Sequence, residues 1–208
     1  MKAFIYVGGK IFPENITEHP KSDDITIAAD SGYKNAEALG ESISLLVGDF
    51  DSFDCTGVSD KTKRIQVPEK KDFSDTQLAV DTAIKMGATD ITIIGGISGR
   101  IDHTLANLSI IKALALSGIH AVITDGKNRA RYINSTSTLI AKSGYKYLSL
   151  IADGKKIKGV DIEGCKYPLK NGTLSEGDQS LSISNEILGN CALISVRKGG
   201  IYVIESRD

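Results

Sequence analysis

Leu45-Leu46-Val47-Gly48-Asp49-Phe50-Asp51 is an apolar run that stops on a glycine and then delivers two carboxylates. A short apolar run closed by glycine reads as the end of a buried strand, and Gly48 lets the backbone come close to a ligand. Side chains two apart in extended backbone point to the same side, so Asp49 and Asp51 converge while Phe50 faces the other way. Converging carboxylates repel unless a cation lies between them. A hard cation of the Mg²⁺ kind, taking oxygen ligands, suits such a pair. Alone, the same residues also read as a solvated acidic turn. The neighbours decide between the two.

Outward from this stretch, short apolar runs alternate with capped or amphipathic segments up to about residue 125. The runs at 3–7, 25–29, 44–47, 64–67, 91–94 and 121–124 read as strands. Residues 31–39 read as a short helix closed by Gly40. Ser74-Asp75-Thr76-Gln77 is a capping box, followed by Leu78, Val80, Ala83 and Ile84 and stopped at Gly87. A further helix is expected with Asp102 as its N-cap, burying Leu105, Leu108, Ile111 and Leu114 before Gly118. The connection from Lys10 to Asp24 is polar and reads as loop or weak helix. Such alternation predicts βαβ units and a parallel, Rossmann-like sheet with flanking helices.

From Lys127 the texture changes. Apolar-rich runs at 131–134, 138–141, 147–152, 157–162, 180–183, 192–196 and 201–204 are separated by turn signals such as Asp153-Gly154, Asn171-Gly172 and Gly199-Gly200. This predicts an all-β sandwich or barrel. The expected division is an α/β domain over 1–126 and a β-sandwich domain over 127–208. A β domain of that size is small for independent stability, so a second covering surface is expected.

The 208 residues are 41% hydrophobic and 25% charged, with a net charge of −1. That balance gives no electrostatic footprint for nucleic acid or a membrane surface. The cysteines, Cys55, Cys165 and Cys191, are far apart and form no CxxC, so buried thiols in a reducing compartment are expected. No run is long enough for a signal peptide or membrane span. A cytoplasmic protein is expected.

Placed on this map, the polar residues sort to one edge. Gly8 and Gly9 follow the first strand, Asp30 the second, and Asp49 and Asp51 the third. Asp72 and Asp75 follow the fourth, and Arg100, Asp102 and His103 the fifth. Open parallel sheets bind ligands at the carboxyl ends of their strands. The turn Gly95-Gly96-Ile97-Ser98-Gly99-Arg100 offers backbone N–H groups and a guanidinium to an anion. It is neither a G-x-G-x-x-G turn nor a Walker A loop. Beside the carboxylates it reads as half of a metal–polyphosphate site. His103 reads either as a general base or as a residue that orients a neighbour. Lys71, beside Asp72, is placed to reach substrate.

The blocks Ala29-Asp30-Ser31-Gly32, Gly48-Asp49-Phe50-Asp51-Ser52, Lys71-Asp72-Phe73-Ser74-Asp75 and Gly99-Arg100-Ile101-Asp102-His103, with Asn107, resemble the thiamine pyrophosphokinase family in order and spacing. Ser184-Asn185-Glu186 and the final Gly199-Gly200 strand resemble its C-terminal half. The resemblance implies transfer of the pyrophosphoryl group of ATP to thiamine, giving thiamine diphosphate and AMP. It also implies a homodimer with thiamine between subunits, and Mg²⁺-ATP residues falling on Asp30, Asp49, Asp51, Asp72, Asp75 and Asp102. Within that scheme Asp49, Asp51 and Asp75 are the expected metal ligands, and Asp72 or Asp75 the expected proton acceptor. Arg100 and the glycines Gly8, Gly9, Gly32, Gly96 and Gly99 are expected at the nucleotide, with Lys71, Ser184 and Asn185 at the acceptor. Ser74 and Ser98 depart from the family's usual threonine and glycine. Two alternatives stay open on the residues: a pyrophosphokinase for a hydroxymethylpterin, and a non-catalytic nucleotide sensor.

Overall fold

The computed structural model describes residues 1–48, 62–66, 74–178, 180 and 182–208. The chain divides into two compact units, Met1–Ile110 with Gly118–Gly126, and Ile111–Ser117 with Lys127–Asp208.

In the first unit the strands are β1 (Lys2–Tyr6), β2 (Ile25–Ala29), β3 (Leu45–Gly48), β4 (Lys63–Gln66), β5 (Asp90–Ile94) and β6 (His120–Thr124). They lie in the order β6-β5-β1-β2-β3-β4, and every pairing is parallel. This is the expected Rossmann-like sheet. β2 and β3 are buried along their whole length, as strands covered on both faces must be, and so they read as unbroken apolar runs. β4 is exposed along its length and carries Lys63, Arg64 and Gln66, a polar edge that discourages further pairing. Phe4, Tyr6, Ala28, Leu46 and Ile94 share one core with Ala36 of α1 (Tyr33–Ala38).

The helices depart from expectation in instructive ways. Residues 31–39 divide into a 3-10 turn, Asp30–Gly32, and α1. The connection after β1 holds only a 3-10 turn, Pro13–Asn15. α2 (Asp75–Lys85) is capped by Ser74, whose Oγ accepts the Gln77 N–H at 3.2 Å. Gln77 does not reach back; its amide donates to Asp81 at 2.7 Å, so half of the capping box forms. α3 (Ile101–Leu116) begins one residue before Asp102, which therefore lies in the first turn and is not the N-cap. Leu105 is 60% exposed, not buried. The buried stripe is Asn107, Ile110, Ile111 and Leu114. At 100° per residue, Leu105 stands on the opposite side of the helix from Asn107.

The second unit holds β7 (Asn128–Asn134), β8 (Ser137–Ala141), β9 (Tyr147–Glu163), β10 (Leu169–Leu174) and β11 (Cys191–Ser206). They pair antiparallel as β10-β9-β11-β7, with β8 also on β11. The result is the expected β-sandwich. The runs at 147–152 and 157–162, expected as two strands, form one, and so do 192–196 and 201–204. The intervening glycines bend these strands and do not end them. Gly199 has φ 103°, and the β9–β11 register shifts between Lys198 and Gly200. There residues 154–157 of β9 stand opposite Gly199 alone, and the buried set of β11 changes from Ala192, Ile194 and Val196 to Ile201 and Val203, an odd register shift that exchanges the two faces. β10 was not anticipated, because Asn171-Gly172 reads as a turn; here it lies in a strand with shifted register. Ser182 and Ile183 lie outside any strand, and the Leu150 N–H donates to Ser182 O at 2.6 Å.

The sandwich core joins Ile140, Leu150, Val160, Ile194 and Val203. Cys165 is buried, and burial pushes its thiol pKa up; Cys191 is exposed, against expectation. Cys55 lies outside the described residues. Among those residues no helix is long and apolar enough to cross a membrane.

At the rim of this core, Glu205 is 2% exposed and accepts from two arginines. Arg129 holds it through Nε at 2.8 Å and Nη2 at 2.6 Å, and Arg131 through Nη2 at 2.8 Å. Removing one partner of a buried ion pair leaves the other charge uncompensated. Glu205→Leu is expected to cost about 3–5 kcal/mol, read as a lower urea midpoint; an unchanged midpoint would show that the two guanidiniums do not depend on this carboxylate.

Candidate active site

A cavity of about 560 Å³ opens at the carboxyl ends of β1, β2 and β5. Gly8 and Gly9 line it after β1, and Asp30 and Ser31 after β2. Gly96, Ser98, Gly99 and Arg100 line it after β5, with His103 and Asn107 from α3. The opening turn of α2 adds Ser74, Asp75 and Thr76. Gly32 and Asp102 are not among the lining residues. Asp49, Asp51, Lys71 and Asp72 lie outside the described residues. Ser31, Thr76 and Ser98 were not singled out as site residues from sequence. Each directly neighbours a residue that was, so proximity along the chain was the available signal.

Local structure explains these placements. Asp30 opens the 3-10 turn after β2 with φ 48°, a left-handed backbone that aspartate tolerates better than most residues. The turn packs hard onto β1: a Cβ on Gly32 would lie 2.1 Å from Tyr6 O. Gly32 therefore serves the approach of turn to strand and does not face the cavity. Asp75 is the first residue of α2, where the helix N-terminus favours a negative charge.

The two glycine loops are tied to each other. Gly96 N donates to Gly8 O at 3.0 Å, and Gly95 N to Thr124 O at 2.8 Å. Asn107 Nδ2 donates to Gly96 O at 2.8 Å, and Ser98 Oγ to Lys10 O at 2.6 Å. Gly96 holds φ 75°, and a Cβ there would meet Asn107 Nδ2 at 2.5 Å. Only glycine fits that position.

Arg100 grips Asp102 in bidentate fashion, Nε to Oδ1 at 3.1 Å and Nη2 to Oδ2 at 2.6 Å. The hydrogen bond from Arg100 holds the Asp102 pKa down at about 2. Asp102 Oδ1 also accepts the His103 backbone N–H at 3.0 Å. The carboxylate expected among the metal–ATP residues is engaged with Arg100 instead. Because the Arg100 side chain is 74% exposed, water screens the pair, and a polyanion can compete for the guanidinium.

The cavity therefore sets Asp30 and Asp75 together with Arg100 and two loops of backbone. Oxygen donors of this kind suit a hard cation. Among the described residues no three of His, Cys, Asp and Glu gather to hold a metal. The wall can accept an anion through N–H groups and guanidinium, and a cation through carboxylates.

In the second unit, Ser184 has φ 56° and is exposed. Its N–H donates to Ser149 Oγ at 3.0 Å. Asn185 is 4% exposed. Its Oδ1 accepts from Tyr167 N and Glu186 N, each at 2.9 Å, and its Nδ2 donates to Tyr167 O at 2.7 Å. The Asn185 side chain is thus occupied in fastening its own loop, while Ser184 is displayed.

Comparison with known proteins converges on one family. Residues 17–123 match the model for the thiamin pyrophosphokinase catalytic domain, and residues 136–201 that for the thiamin pyrophosphokinase vitamin B1 binding domain. Thiamine pyrophosphokinase of Bacillus subtilis (strain 168) is 28% identical over 210 residues, spanning 97% of this chain and 96% of that protein. The crystal structure of thiamine pyrophosphokinase from Bacillus subtilis matches with a TM-score of 0.89 at 27% identity, covering 100% of both chains. A thiamin pyrophosphokinase family protein from Enterococcus faecalis matches with a TM-score of 0.81 at 28% identity, again over 100% of each chain. The chain belongs to the thiamin pyrophosphokinase family.

Proposed function

We infer from this cavity how the chain carries out thiamine pyrophosphokinase activity, the transfer of the pyrophosphoryl group of ATP to thiamine that yields thiamine diphosphate and AMP. The observation that carries the reading is that carboxylates, a guanidinium and two glycine loops line a single cavity at the carboxyl edge of a parallel sheet. The family membership favours thiamine over a pterin as acceptor.

The polyphosphate lies along the Gly8-Gly9 and Gly96–Gly99 loops, with Arg100 exchanging its grip on Asp102 for phosphate oxygens. Asp30 and Asp75, with Asp49 and Asp51 of the sequence motif, form an all-oxygen donor set that fits Mg²⁺. When bound, that ion supplies neutralisation of charge on the phosphate oxygens. The hydroxyl oxygen of thiamine attacks the β-phosphorus in line, and the bond from that phosphorus to the α,β-bridging oxygen breaks. The bridging oxygen and its electron pair leave on AMP, and the hydroxyl proton passes to Asp72 or Asp75. Asp102 and His103 orient Arg100. Lys71 meets substrate.

The α/β part, 1–126, binds nucleotide, and the β part, 127–208, binds thiamine and joins a second copy in a homodimer. Leu139 and Leu193 are cross-strand partners, and they and Leu188 are exposed. An apolar sheet face of this kind supports a covering subunit. The free thiols of Cys165 and Cys191 support a cytoplasmic enzyme.

Incubation with ATP, Mg²⁺ and thiamine should release AMP and thiamine diphosphate in equal amounts. ADP with thiamine monophosphate would refute the proposed point of attack, and turnover with hydroxymethylpterin alone would refute the acceptor.

Asp75→Asn should lower kcat about a thousandfold, the scale set by losing one charged group from an electrostatically dominated site, while circular dichroism stays unchanged. A folded variant with near-normal turnover removes Asp75 from both of its roles.

Ser184→Ala should raise the KM for thiamine and leave that for ATP unchanged, since only the hydroxyl is displayed. Asn185→Ala should instead lower the melting temperature, because it releases the backbone of Tyr167 and Glu186. Equal KM effects on both substrates would place Ser184 away from the acceptor.

A further inference from the structure

Asn35 stands on α1, does not line the cavity, and takes no part in the scheme above. Its Nδ2 donates to Val7 O at 2.7 Å and to Gly9 O at 2.9 Å. Both neighbours are acceptors, so the NH₂ end of the amide must face them. One side chain thereby holds the carbonyls on either side of Gly8. In a trans peptide the N–H points opposite to the C=O. Fixing the Val7 and Gly9 carbonyls toward α1 turns the N–H groups of Gly8 and Lys10 away from α1. Gly8 and Gly9 line the cavity. The carbonyl between them, Gly8 O, is taken by Gly96 N at 3.0 Å, which fixes the middle peptide as well. Among the described residues, the N–H groups of Gly8, Gly9 and Lys10 donate to no backbone carbonyl. Successive N–H groups turned to one side form a concave anion-binding nest.

We propose that Asn35 is a positioning residue that shapes residues 8–10 into a cradle for the oxygens of a polyphosphate. This rests on the reading of the cavity as the ATP site. The chemistry selects the residue type. Serine has one donor and can satisfy one carbonyl. Aspartate has the shape of asparagine but presents oxygen to oxygen and drives both carbonyls away. The Asn35 amide thus decides which way two backbone dipoles point.

The test uses the full-length protein and inorganic tripolyphosphate as probe. Titration into ¹⁵N-labelled wild type should shift the Gly8 and Gly9 amide resonances. Asn35→Ala and Asn35→Asp should each raise the tripolyphosphate Kd and the KM for ATP about tenfold or more, as expected for two lost hydrogen bonds. The KM for thiamine should not change. A general packing defect would move both KM values and leave tripolyphosphate binding in step with stability. Folded variants that bind tripolyphosphate as wild type does overturn the proposal. So does wild-type binding that leaves the Gly8 and Gly9 amides unshifted, a result that stands even if both variants fail to fold. Wild type that neither binds tripolyphosphate nor consumes ATP overturns the reading of the cavity itself, and the role of Asn35 with it.

Discussion

Parallel pairing of β1 with both β2 and β5 is the constraint on which the rest of the first unit depends. Neighbouring parallel strands run the same way, so their carboxyl ends open along one edge. Whatever follows Tyr6, Ala29 and Ile94 is then forced into one neighbourhood. Gly8, Asp30 and Arg100 are far apart in sequence and line one cavity for that reason alone. Side-chain hydrogen bonds then set the detail. Asn107 and Ser98 fasten the loop after β5, and Asn35 fastens the loop after β1. The carbonyls they hold face the scaffold, which leaves the opposite peptide surface for a ligand.

Electrostatically the site is a standing compromise. Arg100 needs a partner in the absence of phosphate, and Asp102 supplies one two residues along. The same link aims the guanidinium and keeps it exposed. Asp30 and Asp75 line the same cavity without belonging to that pair. A bound triphosphate with a counter-cation would satisfy both signs at once.

How much of this was legible in the sequence differs between the units. Strands β1, β2, β3 and β5 were legible because burial on both faces leaves an unbroken apolar run between polar loops. The cavity glycines, Asp30 and Arg100 were legible because they follow those runs, and Asp75 because a capping box announces the helix it opens. Leu105 misled, since helical periodicity does not say which of two apolar stripes is buried. Asp102 misled for a related reason: a good capping residue inside the first turn found a better partner in Arg100. The β part was legible in class but not in detail. Gly154 and Gly199 announce turns, and only long-range pairing between β9 and β11 makes them bends within strands. Asn185 was read as a ligand contact, and Asn35 was not singled out. Their work is to hold backbone carbonyls and N–H groups that are remote in sequence or conformation, and no local pattern records that.

The order of strands in the second unit also bears on how the chain is made. β11 is hydrogen-bonded to β7, β8 and β9, and it follows all three in the chain. Its partners cannot be joined until Cys191–Ser206 has left the ribosome. Before that moment β7 and β9 expose unpaired edges, the sort of surface that invites aggregation. The parallel sheet carries no such debt, since all of its strands have been translated by Thr124. During synthesis the parallel sheet can therefore be complete while the β part is still an open ribbon.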